Sequence, residues 1–190
     1  MSKVEIRQRI LGIRKKLPSE VIDKKSKNAC DRIINSKKYK EADVILSYMS
    51  IDGEIDLSIL NDDAISKNKK VFIPKVLGKH HMELYKYIKD KYVKGKFGIL
   101  EPDNDDMFNP EDISNHSINV LMIVPGVAYD GDNNRCGYGG GFYDNYLLRM
   151  KEKTFAGNFY AVAPCYDFQM VEKLEEGEFD QKVDEVMVID

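Results

Sequence analysis

The chain has 190 residues, with 29 basic and 32 acidic side chains and a formal net charge of −3. Apolar residues make up 43% of it, which excludes a chain that is disordered throughout. No apolar run approaches the roughly 18 residues of a membrane span, and the charged N-terminus does not resemble a signal peptide. The three cysteines form no CxxC pair, which argues against a disulfide framework. We therefore predict a single compact domain over residues 1–190, located in the cytoplasm.

The first predicted element is a helix over residues 3–17, with a basic ridge beside its apolar stripe. At about 100° per residue, the stripe collects Ile6, Ile10, Ile13 and Leu17. A narrow sector along its edge holds Lys3, Arg7 and Arg14. Long cationic side chains at such a boundary can point their heads into a cleft. The ridge contacts either a bound anion or surface carboxylates, and this segment alone leaves both interpretations open.

The rest of the chain alternates predicted helices and strands. Ser19 is predicted to cap the second helix, after Pro18 ends the first. Helices are predicted over 19–38 and 57–68 and from Tyr143 to Met150, and strands over 44–49, 71–76, 82–88, 120–125, 159–163 and 184–189. Residues 89–117 are predicted to be an acid-rich connection with little periodicity, and the histidines, including His116, show no metal-ligand spacing. This alternation predicts an α/β fold with a largely parallel sheet.

The N-terminal segment is strongly basic, because residues 1–40 carry 13 Lys or Arg against 4 Asp or Glu, a net of +9. A basic end can bind nucleic acid or another polyanion. Proteins that bind single-stranded nucleic acid stack its bases on aromatic side chains that lie among the basic ones. Tyr39 is the only aromatic residue of this segment. We therefore predict a solvated helical face for most of these lysines, and no nucleic-acid partner.

A cluster of glycines follows the strongest buried-strand pattern and precedes a helix. Four of five consecutive positions are glycine, namely Gly137, Gly139, Gly140 and Gly141. Glycine lets the main chain approach a ligand and turn its N–H groups inward, and a helix start adds a positive dipole end. Phosphate suits such a segment, with Arg135 to neutralise it and Asp144 to hold a divalent cation. The alternative is a flexible surface loop with a capping aspartate, and we favour phosphate binding.

The glycine cluster matches no generic phosphate-binding motif, because GxxxxGK[ST] is absent and GxGxxG fails at Phe142. Four patches in order nevertheless resemble the 5-formyltetrahydrofolate cyclo-ligase family, also called methenyltetrahydrofolate synthetases. In chain order they are KVEIR over 3–7, YMSIDGEID over 48–56, PGVAYDGDNNRCGYGGGFYD over 125–144 and FDQKVDEV over 179–186. The resemblance spans nearly the whole chain.

The resemblance implies a three-layer α/β/α enzyme that uses MgATP to convert 5-formyltetrahydrofolate to 5,10-methenyltetrahydrofolate. It implies catalytic roles for Lys3 and Arg135. It implies ATP binding by Lys3, Val4, Glu5, Ile6, Arg7, Arg135, Cys136, Gly137, Tyr138, Gly139, Gly140, Gly141, Phe142 and Tyr143. It implies folate binding by Met49, Glu54, Tyr138, Gly139, Gly140, Gly141 and Phe142. It implies Mg²⁺ binding by Asp144 and Asp180.

The sequence departs from the family pattern at three positions. Phe142 replaces the usual Tyr, Asn145 the common Arg, and Cys136 a Leu or Ile. The first change removes a hydroxyl, and the second weakens one anion contact. None of them touches the implied metal ligands.

The implied reaction needs alignment and charge stabilisation more than a strong base. Phosphorylation of the formyl oxygen makes it a leaving group, and N10, which is neutral at pH 7, then closes the ring. This agrees with a chain that shows no Ser/His/Asp or Cys/His set. A rival hypothesis is a nucleotide-sensing module without turnover, because the fold does not fix the function. We expect small-molecule partners only, no membrane partner and a monomer.

Overall fold

The computed structural model describes residues 1–95, 98–113, 118–153 and 158–190. Its helices are α1 (Lys3–Arg14), α2 (Ser19–Asn35), α3 (Lys37–Glu41), α4 (Ser58–Ser66) and α5 (Phe142–Lys153). Its strands are β1 (Val44–Leu46), β2 (Lys70–Gly78), β3 (His81–Lys86), β4 (Tyr92–Lys94), β5 (Leu100–Pro102), β6 (Val120–Ile123), β7 (Ala128–Tyr129), β8 (Arg135–Cys136), β9 (Phe159–Tyr166) and β10 (Glu185–Ile189). His116 and part of the predicted connection over 89–117 lie outside the described residues.

Six strands form the central sheet, in the spatial order β10-β9-β6-β1-β2-β3. All neighbouring strands run parallel except β2 and β3, which pair antiparallel. The connection from β2 to β3 is too short for a parallel crossover, and His80 turns the chain there with a φ of 57°. The predicted α/β fold with a largely parallel sheet is confirmed.

Successive residues of the central strands face two separate cores. In β1, Ile45 packs with the side chains of α2, α3 and α4, whereas Val44 and Leu46 pack with α5. β6 repeats this alternation, with Leu121 on the first face and Met122 on the second. Because both faces of the sheet are covered, the strands are apolar throughout, and helices flank the sheet on both sides.

Helix α1 is shorter than predicted and buries a different stripe. It ends at Arg14 rather than at residue 17, and Ile13 is 39% exposed. The buried side chains are Ile6, Ile10 and Arg14, a spacing of four residues that follows one helical face. The prediction that Ile13 lies in the core is therefore wrong, and Arg14 occupies the corresponding place.

Two other predicted helix features differ in the structure. The predicted helix over 19–38 divides at Ser36, whose extended backbone ends α2 and whose hydroxyl accepts the Tyr39 N–H at the start of α3. Pro18 occupies the N-cap position of α2 without a side-chain hydrogen bond, and Ser19 is already the first helical residue. A capping role for Ser19 is therefore wrong.

The predicted connection over 89–117 contains regular structure that its acid-rich sequence concealed. Strands β4 and β5 pair antiparallel, and a short 3-10 helix covers Pro110–Ile113. Three-residue strands are too short to produce a readable alternation pattern. None of the helices in the described part of the chain has the length and apolarity that crossing a membrane requires.

Candidate active site

The main cavity of the described residues opens where β1 and β6 end. Its volume is about 340 Å³, which is in the range of small-molecule sites. Tyr48 and Met49 follow β1, and Pro125 follows β6, and all three line the cavity. The chain leaves β1 toward β2 on one side and returns through β6 on the other. Ligands of parallel sheets bind at such a switch point.

Apolar and aromatic side chains form most of the cavity wall. The β2–β3 hairpin contributes Pro74, Val76 and Met82, and the start of α5 contributes Phe142 and Tyr143. The cavity wall is thus largely apolar and partly aromatic, which suits a ligand with an apolar ring system. The hairpin residues were not predicted from the sequence, since they belong to an ordinary strand pattern.

Glu54 places a carboxylate in this apolar wall. It is 6% exposed, and its oxygens accept hydrogen bonds from the Tyr138 hydroxyl at 2.5 Å and the Ile51 N–H at 3.1 Å. Burial raises the pKa of Glu54, and the opposing effects of Arg14 and Tyr138 offset this only in part. A carboxylate has about four acceptor positions, so two remain for a ligand. Glu54 is therefore not a solvated acid of the turn, although its sequence context alone would read as one.

The glycine segment, residues 137–141, lines the cavity with four of its residues, namely Gly137, Tyr138, Gly140 and Gly141. Gly139 and Gly141 have φ values of 99° and 69°, a region that disfavours side chains. Among the described residues, the N–H groups of Gly139, Gly140 and Gly141 donate no hydrogen bond. Unpaired N–H groups beside the start of a helix are donors for an anion.

Of the basic ridge of α1, Arg7 contacts this segment and Lys3 contacts a carboxylate, so the role of the ridge in anion binding stays a prediction. The Arg7 Nε donates to the Gly137 carbonyl at 2.6 Å, and Lys3 forms an ion pair with Asp180. Burial raises the pKa of the Cys136 thiol, and the nearby charges of Arg7 and Lys3 partly oppose this. Arg7 and Lys3 therefore place positive charge close to Cys136, the residue that precedes the glycine segment. Burial acts to raise the pKa of Asp180, but the hydrogen bonds from Lys3 and the Gly177 N–H, together with the charges of Lys3 and Arg135, outweigh it and the pKa is lowered.

A second ion pair, between Arg135 and Asp144, lies at the cavity wall. The Arg135 Nη2 is 2.7 Å from the Asp144 Oδ1, which also accepts the Gln181 N–H at 3.2 Å. The buried Arg135 Nε has no hydrogen-bond partner among the described residues. The contact with Gln181 brings the helix start next to the C-terminal segment that carries Asp180.

These two carboxylates fit a magnesium ion that shares its ligands with a phosphate. One oxygen of Asp144 and one of Asp180 accept no hydrogen bond within the described residues. No group of three or more His, Cys, Asp or Glu side chains in the described chain could hold a metal by itself. Mg²⁺ commonly uses one or two carboxylates together with substrate phosphates, so the donor set suits that ion.

Some of the residues implied for ATP binding point away from the cavity. Val4 is 59% exposed, and Ile6 is in the core. Glu5 accepts hydrogen bonds from Ser2 in a capping box, which lowers the pKa of Glu5. These three side chains stabilise and seat α1, so their connection with a ligand is through the position of Lys3 and Arg7. Their ATP-binding roles stay predictions.

Comparison with known proteins places the chain in a family. The sequence model described as the 5-formyltetrahydrofolate cyclo-ligase family matches residues 1–189. A Schizosaccharomyces pombe protein named probable 5-formyltetrahydrofolate cyclo-ligase is 31% identical over 167 residues, covering 84% of this chain and 80% of its own. The 5-formyltetrahydrofolate cyclo-ligase of Haemophilus influenzae is 29% identical over 187 residues, covering 97% and 96%.

Solved structures agree with the sequence relatives. The 5,10-methenyltetrahydrofolate synthetase of Aquifex aeolicus superposes with a TM-score of 0.81 at 31% identity, covering 99% of this chain and 90% of that one. The corresponding synthetase of Mycoplasma pneumoniae has a TM-score of 0.76 at 19% identity, covering 98% of each chain, and supports the fold. The resemblance found in the four sequence patches is confirmed, and with it the prediction of an enzyme of the ligase class. The chain belongs to the 5-formyltetrahydrofolate cyclo-ligase family.

Proposed function

We propose that this chain converts 5-formyltetrahydrofolate to 5,10-methenyltetrahydrofolate, with ATP as co-substrate and Mg²⁺ as its cofactor. The observation that carries the proposal is the arrangement of the cavity. A buried carboxylate with free acceptor positions and a glycine segment with unpaired N–H groups line the same cavity. Such a cavity suits a ligand whose flat ring carries hydrogen-bond donors and must come close to a phosphate.

The pterin ring is assigned to the apolar end of the cavity. Its N–H groups would donate to Glu54, because a carboxylate accepts two hydrogen bonds from such an edge. Met49 and Phe142 line the cavity on the faces that the ring would contact. Phe142 keeps the aromatic surface although it lacks a hydroxyl, so the departure from the family pattern preserves the stacking contact.

The triphosphate is assigned to the glycine segment. The N–H groups of Gly139 to Gly141 point to no acceptor in the described chain, and Lys3 and Arg7 bring positive charge to the same place. The unpaired Nε of Arg135 adds a charged donor at the cavity wall. Donors that are fixed before the reaction stabilise charge as it develops on a transferred phosphoryl group.

Asp144 and Asp180 are assigned to the metal ion. When bound, Mg²⁺ supplies positive charge that neutralises the phosphate oxygens. In this structure, Asp144 contacts Arg135 and Asp180 contacts Lys3. A metal ion on the carboxylates would take over part of this pairing and leave the two cations for phosphate oxygens.

The reaction that these groups support has two steps. The formyl oxygen attacks the γ-phosphorus, and the bond to the ADP oxygen breaks. The N10 lone pair then attacks the formyl carbon, the carbon–oxygen bond breaks, and phosphate leaves while N10 loses its proton. Neither step needs a strong base, so the contribution of the chain is to hold the formyl oxygen in line with the phosphate.

The proposal is tested with purified protein, 5-formyltetrahydrofolate, ATP and Mg²⁺. We expect the absorbance of methenyltetrahydrofolate to appear only when both nucleotide and metal are present, with one ADP formed per product. Arg7→Ala should raise the KM for ATP by about tenfold or more, and Arg9→Ala, on the exposed side of the same helix, should not. ATP binding without product would support the rival nucleotide-sensing module and contradict the proposal.

A further inference from the structure

Arg14 lies beneath the cavity and ties three of its segments together. Its Nε donates to the Asp52 carbonyl at 3.1 Å, in the turn that carries Glu54. Its Nη1 donates to the Gly126 carbonyl at 3.5 Å, just beyond β6, and its Nη2 donates to the Tyr138 hydroxyl in the glycine segment. The residue is 2% exposed, so no space is left beside it for a nucleotide phosphate. The interpretation of Arg14 as an anion contact on the basic ridge is therefore wrong.

The guanidinium is part of a closed arrangement with Glu54 and Tyr138. The Arg14 Nη1 is 3.9 Å from the Glu54 Oε1, and the Tyr138 hydroxyl that accepts from Arg14 donates to the same carboxylate oxygen. Gly53 makes the approach possible, because a Cβ at that position would lie 3.2 Å from the Arg14 carbonyl oxygen. The Gly53 carbonyl is itself fixed by the Tyr166 hydroxyl at 3.0 Å.

Arg14 supplies the positive charge that acts on Glu54 among the described residues. Burial and Asp52 act in the opposite sense and favour the protonated acid. The remaining ionisable groups that face this carboxylate are phenols, namely Tyr48, Tyr129, Tyr138, Tyr143 and Tyr166. Burial raises the pKa of each of these phenols, so they are neutral at physiological pH. Arg14 is therefore the charged group that favours the ionised form of Glu54, alongside the hydrogen bonds from the Tyr138 hydroxyl and the Ile51 N–H.

We propose that Arg14 is a positioning residue that keeps Glu54 ionised and bound to Tyr138, so that the carboxylate is ready to accept the N–H donors of a reduced pterin. The inference rests on the proposed function, because it assigns the ligand of Glu54. A protonated Glu54 has a donor where the pterin also has one, and it would repel the ring. Since Tyr138 belongs to the glycine segment, the same contact fixes the folate side of the cavity relative to the phosphate side.

The test measures 5-formyltetrahydrofolate binding by calorimetry, without ATP, from pH 6 to pH 8.5. In Arg14→Met, the carboxyl holds its proton to a higher pH, so we expect binding about tenfold weaker at pH 7 and recovering as the pH rises. Arg14→Lys retains the charge and should keep the pH dependence of the wild type, with weaker binding at every pH. Arg9→Met is the control and should match the wild type.

Thermal midpoints over the same pH range provide a readout that is independent of folate. The deficit of Arg14→Met should be largest at high pH, where a buried carboxylate is charged without a partner, and should shrink toward pH 5. Adding Glu54→Gln to Arg14→Met should remove that pH dependence. If Arg14→Met fails to fold, Arg14→Gln, which also removes the charge, takes its place in both measurements.

The outcomes separate the two proposals. A loss of binding in Arg14→Met that is the same at every pH, with a midpoint deficit that does not vary with pH, overturns the role of Arg14. If Glu54→Gln binds 5-formyltetrahydrofolate as tightly as the wild type, the pterin assignment of Glu54 fails, and the role of Arg14 for that ligand fails with it. In that case, a pH-dependent midpoint deficit would show only that the two side chains form a structural pair.

Discussion

Charged side chains at the site are arranged in pairs, and the partner of each residue decides what its substitution does. Asp144 contacts a buried guanidinium and Asp180 contacts the ammonium group of Lys3. The sequence indicated Asp144 through its place at a helix start beside the glycine cluster, whereas it indicated Asp180 only through the family resemblance, since Asp180 reads alone as a surface charge. Their cationic partners, one 9 and one 177 residues away in the chain, follow from the fold and not from local spacing.

Asp144→Asn tests the metal assignment. We expect turnover to fall by about a hundredfold, because the neutral amide is a poor ligand for Mg²⁺. Arg135 loses its charge partner but keeps an acceptor, which should cost about 1–3 kcal/mol and lower the thermal midpoint by about 5 °C. Glu152→Gln, an exposed change in the same helix, is the control. Near-normal turnover in Asp144→Asn would exclude this carboxylate as a metal ligand.

Tyr138→Phe tests the hydrogen bond to Glu54 through pH dependence. The hydroxyl lowers the pKa of Glu54, so its removal raises that pKa further. Because the ionised form is the acceptor for the pterin, the acidic limb of kcat/KM should move to higher pH, by about one unit. Tyr85→Phe on β3 is the control. An unchanged acidic limb would show that the protonation of Glu54 does not limit the reaction.

At the scale of elements, the sequence predicted the strands and the glycine segment better than it predicted the ends of helices. Buried parallel strands such as β6 produce continuous apolar runs that are readable locally. Helix α1 ends at Arg14, whose charged side chain is buried among its hydrogen-bond partners. The contribution of the β2–β3 hairpin to the cavity wall could not be predicted, because Val76 and Met82 reach the cavity only through the antiparallel pairing of β2 with β3.

The backbone of the glycine segment is tested with a pair of glycine substitutions. Gly139→Ala puts a side chain at a φ of 99°, which costs about 1–2 kcal/mol and displaces the neighbouring N–H groups. We expect kcat/KM to fall by about tenfold or more, mainly through the KM for ATP. Gly131→Ala is the matched control, since no atom lies within 4 Å of its Cβ and its φ is unexceptional. Equal effects of the two changes would contradict a phosphate-binding role of this backbone.

At the scale of the whole molecule, the strand order explains why residues from distant parts of the sequence meet. The cavity lies at the switch point in strand order between β1 and β6. Helix α1 packs against the β7–β8 ribbon, where Ile6 and Ile10 pack with Val127 and Cys136. The fold class could be predicted from the alternation of elements. The order of the strands could not, because it depends on contacts between residues far apart in the chain.

Ile45→Ala tests the central position of β1. The side chain is fully buried between strands that flank it on both sides, so its removal should cost about 3 kcal/mol. We expect the thermal midpoint to fall by about 5–10 °C, while turnover at 20 °C stays close to that of the wild type. Ile59→Ala, at an exposed position of α4, should change neither. A midpoint loss no greater than that of Ile59→Ala would contradict the central place of this strand.

A crystal structure with Mg²⁺ and a non-hydrolysable ATP analogue tests the central claim most directly. We predict that the terminal phosphates accept hydrogen bonds from the N–H groups of Gly139 to Gly141, with Lys3 and Arg7 within contact distance. We also predict that the metal ion lies between those phosphates and the carboxylates of Asp144 and Asp180. Phosphates bound elsewhere, with the glycine segment and the start of α1 unchanged, would contradict the assignment of the nucleotide site.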